Sequence, residues 1–348
     1  MNIATVVGPR FESIELKRTA PAPRVLHVIP GPAGGGSMVF ARRQVASLER
    51  AGVAVQTFYL TSRTDPRTIA REGLSIHDVA RRFQAQLIHA HYGTVTALLC
   101  ACIAPVPLVI TFRGDDLNLT DPGSGRAALA RVLSQGAALR AARIICVSAR
   151  LKQHLWWRAA RVTVIPSGVD LTLFRPRPRE AARRELGWSY EDPVIVFNVG
   201  NDPRTKRLDL ARAAFARARA ACRNLRLHLI DGNEPPARIP LFLNAADCLL
   251  VTSDHEGSPN IVKEALACDL PVVSVDVGDV AERLAGVTPS RVVNRDADAL
   301  AAALLEIVAL GRRCNGAAAV RDLSEENIAQ RVLAVYREAI GSRPPCAA

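Results

Sequence analysis

The 348-residue chain has few aromatic side chains, with three Trp, four Tyr and nine Phe, and only two Met. There is little from which to build a base-stacking platform, and no recognised nucleic-acid-binding module is present. No apolar run reaches the roughly 18 residues needed to span a bilayer, so no membrane-crossing helix is coded. Residues 1–23, with Glu12, Glu15, Lys17 and Arg18, lack the apolar core of a secretory signal and read as a flexible tail. The eight cysteines (Cys100, Cys102, Cys146, Cys222, Cys248, Cys268, Cys314 and Cys346) never form a CxxC pair, so a zinc site of that spacing is absent. Several fall inside apolar runs and read as buried free thiols in a reducing cytosol. No tandem repeat is visible beyond the similarity of two halves.

Positive charge is present and unevenly divided. Residues 1–170 carry 21 Lys and Arg against 10 Asp and Glu, whereas residues 171–348 carry 24 against 23. The formal charge of +12 therefore belongs almost wholly to the first half. Such asymmetry points to a polyanion or an anionic membrane surface without choosing between them. The stretch Leu151 to Arg161 places Trp156 and Trp157 among basic residues, as interfacial helices do. Inward packing of one Trp explains the same pattern.

Apolar runs alternate with helical patterns through most of the chain. Strands are expected at residues 24–30, 53–60, 87–91, 107–112, 143–148 and 161–166, and the stretch 38–52 reads as a helix closed by Gly52. A Pro-rich basic stretch, residues 174–180, interrupts the pattern and reads as a linker. The alternation then restarts with PVIVFNVG, LRLHLID, DCLLVTS and PVVSVD. This organisation predicts α/β architecture with doubly wound parallel sheets. The expected divisions are a tail (1–23), a first domain (24–172), a second domain (173–323) and a terminal helical segment (324–348).

The most informative run is EGSPNIVKEALACDLPVVSVDVGD, from Glu256 to Asp279. Glu256 follows an apolar strand, at the end where parallel sheets bind ligands. Ser258 is expected to cap the next helix and Pro259 to occupy its first turn. Glu264 then shares a face with Asn260 at i,i+4 spacing. Carboxylates placed there accept hydroxyls, and the helix start attracts phosphate oxygens. Charge complementarity at a helix terminus is the bland explanation for the same residues.

The run resembles the donor-binding signature of the retaining GT-B-fold glycosyltransferases of family 4 (glycosyl transferases group 1), with Glu256 and Glu264 as its Glu-x7-Glu pair. Other segments agree in order: GPAGGGS at Gly31 to Ser37, IHAHYG at Ile88 to Gly93, VITFRGDDL at Val109 to Leu117, VIPSGVDLTLFRP at Val164 to Pro176 and FNVGNDPRTKRLDLA at Phe197 to Ala211. The resemblance extends over roughly residues 24 to 340. It implies two Rossmann-like domains facing a cleft, with the terminal helix crossing back to the first. It also implies that the second domain holds a nucleotide-sugar and the first an acceptor, often a lipid-linked glycan at the cytoplasmic leaflet. In that setting Glu256 meets the donor sugar and Glu264 the ribose. Gly257, Ser258 and Asn260 face the sugar or diphosphate with backbone amides. Lys206 falls at the phosphate-binding Lys, and the loop containing Gly35 and Gly36 lies near the donor across the cleft.

Two positions depart from the family pattern. The Arg expected after the strand's Gly is Asn201, so Arg204 or Arg207 is left to complete the cationic clamp around a departing diphosphate. The His expected before Gly114 is Arg113, which suits a carboxylate or phosphate and cannot accept a hydrogen bond. His91 and His89 share one face of their strand, with His91 at its cleft end and packing inward the commoner fate of either. Asp115 and Asp116 read equally as acceptor-hydroxyl ligands or as partners of Arg113.

The glycine loop lacks G-x-G-x-x-G spacing, and the second strand ends without the acid that binds ribose in nicotinamide enzymes, which disfavours such an enzyme. Asp296-Ala-Asp298 has the D-x-D spacing of metal-dependent glycosyltransferases but precedes an apolar helical run and reads as a helix cap. No metal and no cofactor are expected, the nucleotide-sugar being a substrate. The reading is a retaining, metal-independent hexosyltransferase of cell-surface glycan or glycolipid synthesis. It is expected in the cytoplasm, with peripheral contact to an anionic membrane and no nucleic-acid partner. A nucleotide-sugar epimerase of the same fold and a non-catalytic polyanion-binding protein are the alternatives.

Overall fold

The computed structural model describes residues 23–34, 38–118, 125–157, 159–200 and 202–341. Gly35, Gly36, Asn201, nearly all of the expected tail and Cys346 lie outside the described residues.

Among the described residues eleven strands form two sheets, all parallel. The first sheet holds β1 (Arg24–Pro30), β2 (Ala54–Leu60), β3 (Leu87–His91), β4 (Leu108–Phe112), β5 (Arg143–Cys146) and β6 (Val162–Val164), in the order β2-β1-β3-β4-β5-β6. The second holds β7 (Val194–Gly200), β8 (Arg226–Asp231), β9 (Cys248–Val251), β10 (Val272–Val275) and β11 (Arg291–Val293), in the order β11-β10-β9-β7-β8. In each sheet the order reverses beside the first strand, creating the crevice where such sheets take ligands. The central strands β3, β4, β9 and β10 are buried along their whole length. Burial on both faces is why they read as unbroken apolar runs.

Helices fill the crossovers for local reasons. Asp65 caps Pro66–Arg82 by accepting from the Thr68 amide, with Pro66 in the first turn. Asp296 accepts from the amides of Asp298 and Ala299 and so starts Ala297–Leu310, the cap expected from the D-x-D pattern. The helix Asn260–Ala267 differs from expectation. Pro259 is its cap residue, and Ser258 makes no cap because its hydroxyl donates to Asp279 at 2.9 Å. The interfacial-helix reading of residues 151–161 also fails, since helix Ala149–Lys152 stops short of both tryptophans. Trp157 turns inward and donates its indole N–H to the Gln135 carbonyl, while Trp156 remains 53% exposed.

The halves meet through an extensive shared interior. Val25, Leu87, Val109 and Ile145 of the first sheet join Ile195, Leu249 and Val273 of the second in one buried cluster. Helix Glu325–Gly341 adds Ile328, Val332 and Tyr336 to that cluster and packs on helix Val39–Arg50. The chain crosses itself closely at Gly168, where a Cβ would come within 2.9 Å of the Glu325 Cα. There the Val169 amide donates to Leu323, and the Glu325 amide donates back to Val169.

Candidate active site

The carboxyl ends of β7 and β9 carry the central pair. Glu256 follows β9, Lys206 follows β7, and the Lys206 ammonium donates to Glu256 Oε1. Ser253 donates to the same oxygen at 2.9 Å. The loop presenting Lys206 is fixed from beneath. The Thr252 hydroxyl donates to the carbonyls of Lys206 and Arg207 at 2.8 and 3.0 Å, and the Asp254 amide donates to Thr205. Asp202 ties the loop's start by accepting from Thr205 Oγ1 at 2.6 Å. These supports were not foreseen, because their signal is spatial and the sequence shows only a Thr and an Asp near strand ends.

Lys206, Glu256, Gly257, Ser258, Asn260 and Glu264 line one cavity of about 260 Å³ with Phe40, Arg113 and Ser167 from the first half of the chain. The cavity thus lies between the two sheets. Asn260 Oδ1 is buried there without a partner, an acceptor open to a ligand hydroxyl. Glu264 is partly buried, and burial raises its pKa while Arg43, 3.5 Å away on helix Val39–Arg50, opposes that shift. Arg204 is exposed and outside the cavity, and Arg207 is paired with Asp209 and Asp254, so neither extends the cationic wall.

The two halves touch at the cavity's edge. A Cβ on Gly257 would fall 1.9 Å from the Arg113 carbonyl oxygen, and Gly114 (φ +152°) would meet the Gly257 amide at 3.1 Å. Only glycine permits this approach. Beneath the Ser258 loop Lys263 is fully buried, its Nζ 3.0 Å from Ser258 Oγ. Burial lowers its pKa to about 8 against the opposing pull of Asp279. Asp279 itself also accepts from Arg283 at 2.9 Å.

Asp115 and Asp116 are distinguished by the structure. Asp116 is fully buried and accepts from the amides of Gly93, Arg113 and Gly114. It therefore shapes the loop and is not free to bind an acceptor. Desolvation raises it to about 6 despite those bonds. Asp115 faces a larger cavity of about 800 Å³ in the first domain, bounded by Arg63, Tyr92 and Arg126 on a polar side and Val95, Leu129 and Leu133 on an apolar one.

His91 is fully buried and does not line the 260 Å³ cavity. Its ring centroid lies 4.0 Å from that of His89, with the planes tilted by 31°, and it bonds to His27, which is paired with His89 across β1 and β3. Ligand nitrogens of the three histidines lie within 4.8 Å of one another, close enough to hold a metal. Five of their six nitrogens are already hydrogen-bonded, to Tyr336, Thr111, Arg113 and one another. His27 went unnoticed in the sequence, being one His within an apolar strand.

Two open parallel-sheet domains, with a cavity between them at their strand ends, define an α/β protein of GT-B architecture. Residues 26–173 match the family Glycosyltransferase Family 4, and residues 234–309 match Glycosyl transferases group 1. The chain belongs to these group 1, family 4 glycosyltransferases and is a glycosyltransferase. It is 27% identical to a D-inositol 3-phosphate glycosyltransferase of Segniliparus rotundus, over 89% of this chain and 86% of that protein. A second such enzyme, from Geodermatophilus obscurus, is 31% identical over 46% of this chain and 43% of its own length. Among solved structures, the sucrose-phosphate synthase of Thermosynechococcus elongatus superposes with a TM-score of 0.75 at 21% identity, over 92% of this chain and all of that one. HepE of Anabaena, solved with UDP-glucose, gives 0.65 at 18% identity, over 92% and 99%. These likenesses establish the fold.

Proposed function

We propose that the protein transfers a sugar, with retention of anomeric configuration, from a nucleoside-diphosphate sugar to an acceptor hydroxyl presented by the first domain. The carrying observation is the Lys206–Glu256 pair at the cleft, beside the start of helix Asn260–Ala267 and in one cavity with Glu264. A departing diphosphate needs cations and amides near its growing charge. Lys206 and the helix start supply them, without a metal. Glu256 exchanges its bond to Lys206 for sugar hydroxyls as the donor enters, and Glu264 takes the ribose. Both carboxylates that line the cavity are thereby assigned to hydroxyls of the donor, which leaves no dedicated nucleophile among them. Attack by the acceptor on the face the diphosphate leaves is then the expected course.

The acceptor enters through the 800 Å³ cavity, whose apolar wall and two arginines suit a glycan on an anionic or lipid carrier. Leu129, Val132 and Leu139 are exposed on one face of helix Gly125–Arg140, beside the exposed Trp156 and with Arg131 over the Trp156 ring. Such an apolar strip with basic residues favours peripheral contact with an anionic bilayer. Among the described residues no helix is long and apolar enough to cross one.

Incubation with a panel of nucleotide-sugars, read as nucleoside diphosphate released, tests the reading. Lys206→Ala should lower turnover about 100-fold or more, the range for losing one preorganised charge-stabilising group. NMR of the product anomer should show the donor's configuration, and an inverted product would refute retention.

A further inference from the structure

Arg113 leaves the end of β4 and enters the donor cavity with a guanidinium whose hydrogen-bond partners are all neutral. Its Nη1 donates to Ser167 Oγ at 3.0 Å, and its Nη2 donates to Gln44 Oε1 at 2.8 Å and His91 Nδ1 at 3.0 Å. The Phe40 ring lies under it, 4.6 Å from the guanidinium carbon. Its Nε is buried with no partner. Asp116, the carboxylate beside it in sequence, spends both oxygens on backbone amides. Burial lowers Arg113 to about 10 against the opposing charge of Asp116, which makes no hydrogen bond to the guanidinium, so Arg113 is still charged at neutral pH. A desolvated cation is costly unless it is paired.

The hydrogen bonds fix the histidines behind it. His91 accepts from Arg113 at Nδ1, so its own proton resides on Nε2. That Nε2 lies 2.9 Å from His27 Nδ1 and donates to it. The His27 proton is then on Nε2, which has no partner. Burial keeps both rings neutral by lowering their pKa values. The relay orients the guanidinium and brings no negative charge to it.

We propose that Arg113 is a specificity-determining cation whose counter-ion is an anionic oxygen group carried by the substrate, with His91 and His27 as the positioning residues that aim it. This rests on the donor-cleft reading above. The planar fork suits a carboxylate or a phosphate. Three sources present that chemistry: the diphosphate, a carboxylate on the transferred sugar, or an anionic group on the acceptor.

Thermal melting and calorimetric titration of wild type and Arg113→Gln separate these. The variant should melt within about 5 °C of wild type, because the Gln amide can still donate to one of the neutral partners and no protein carboxylate loses a hydrogen bond from the guanidinium. Affinity should fall about ten- to a hundredfold for whichever ligand supplies the anion. An equal loss for UDP, UDP-glucose and UDP-glucuronate, or for their guanosine counterparts, assigns the diphosphate. Loss confined to the glucuronate assigns the sugar carboxylate. Unchanged donor affinities with a similar fall in kcat/KM for the acceptor assign the acceptor. His27→Gln should weaken the same ligand by a smaller factor, about two- to tenfold. Nitrogen NMR should show His91 unprotonated at Nδ1.

Arg113→Gln with wild-type affinities and turnover would overturn the proposal. So would a melting point lower by about 5 °C or more with ligand affinities intact, because Arg113 would then be a structural residue. If no nucleotide binds the wild type, the donor reading fails. Inorganic phosphate then decides the inference by raising the melting point of wild type more than that of Arg113→Gln, or by raising both equally and refuting it.

Discussion

The guanidinium of Arg43, on a helix of the first domain, lies 3.5 Å from the carboxylate of Glu264, on a helix of the second. The pair spans the cleft at the residue proposed to hold the donor ribose. Burial pushes Glu264 toward protonation, and Arg43 opposes it. Without Arg43 the carboxylate titrates at higher pH. Arg43→Met should therefore bind nucleotide more weakly than wild type as pH falls from 7 to 5, by about three- to tenfold at the acid end. Parallel affinity profiles for the two proteins would refute this role for Arg43.

Gly257→Ala tests the contact between the domains. Its Cβ would meet the Arg113 carbonyl at 1.9 Å, so the two loops must separate. The loops belong to different domains, and their local displacement widens the cleft's edge while the shared interior stays packed. Turnover should fall about 100-fold, the effect of displacing reacting groups by about 1 Å, while the melting point changes little. Full activity would mean that the observed closure is not the reacting geometry.

Lys263 gives a pH signature. Its folded pKa of about 8 lies below its ordinary value of 10.5, so between those values the unfolded chain binds more protons. Stability must then rise with pH across that window, by up to about 3 kcal/mol from this group. Below pH 8 the lysine is charged in both states and adds no slope. Chemical denaturation of wild type and Lys263→Met from pH 7 to 10.5 checks it. A constant difference between them would show that Lys263 is not depressed.

Tyr336 ties the terminal helix to the first sheet through the hydrogen bond between its hydroxyl and His89 Nδ1, 2.6 Å long. Tyr336→Phe leaves a buried ring nitrogen unpaired and should cost about 1–3 kcal/mol of stability. Urea midpoints measure it, and an unchanged midpoint would show that the Tyr336–His89 bond adds nothing to stability.

Much of the scaffold was legible because parallel strands buried on both faces must be apolar. Ten of the eleven strands could be read from runs such as LIHAH and DCLLVTS. The missed strand, Arg291–Val293, has three residues and an exposed centre, so no such run marks it. Where chemistry and spacing coincide, as at Glu256, Asn260 and Glu264, the residues singled out line one cavity. The site was illegible where partners are distant in sequence. Ser258 resembled a cap until Asp279 took its hydroxyl. His27 acquires meaning only when β1 and β3 pair it with His89, and Arg43 only when the domains close on Glu264. Arg204, offered with Arg207 as a substitute for the missing Arg, is exposed and outside the cavity, because loop direction is not written in residue type.

The central claim is that the cleft at Lys206, Glu256 and Glu264 holds a nucleotide-sugar. Calorimetric titration of the protein with UDP, GDP, ADP and CMP, with Glu264→Ala alongside, tests it most directly. The account predicts saturable binding of one nucleotide with one site per chain, weakened at least tenfold in the variant. Equal binding by wild type and Glu264→Ala, or no binding of any nucleotide, would contradict it.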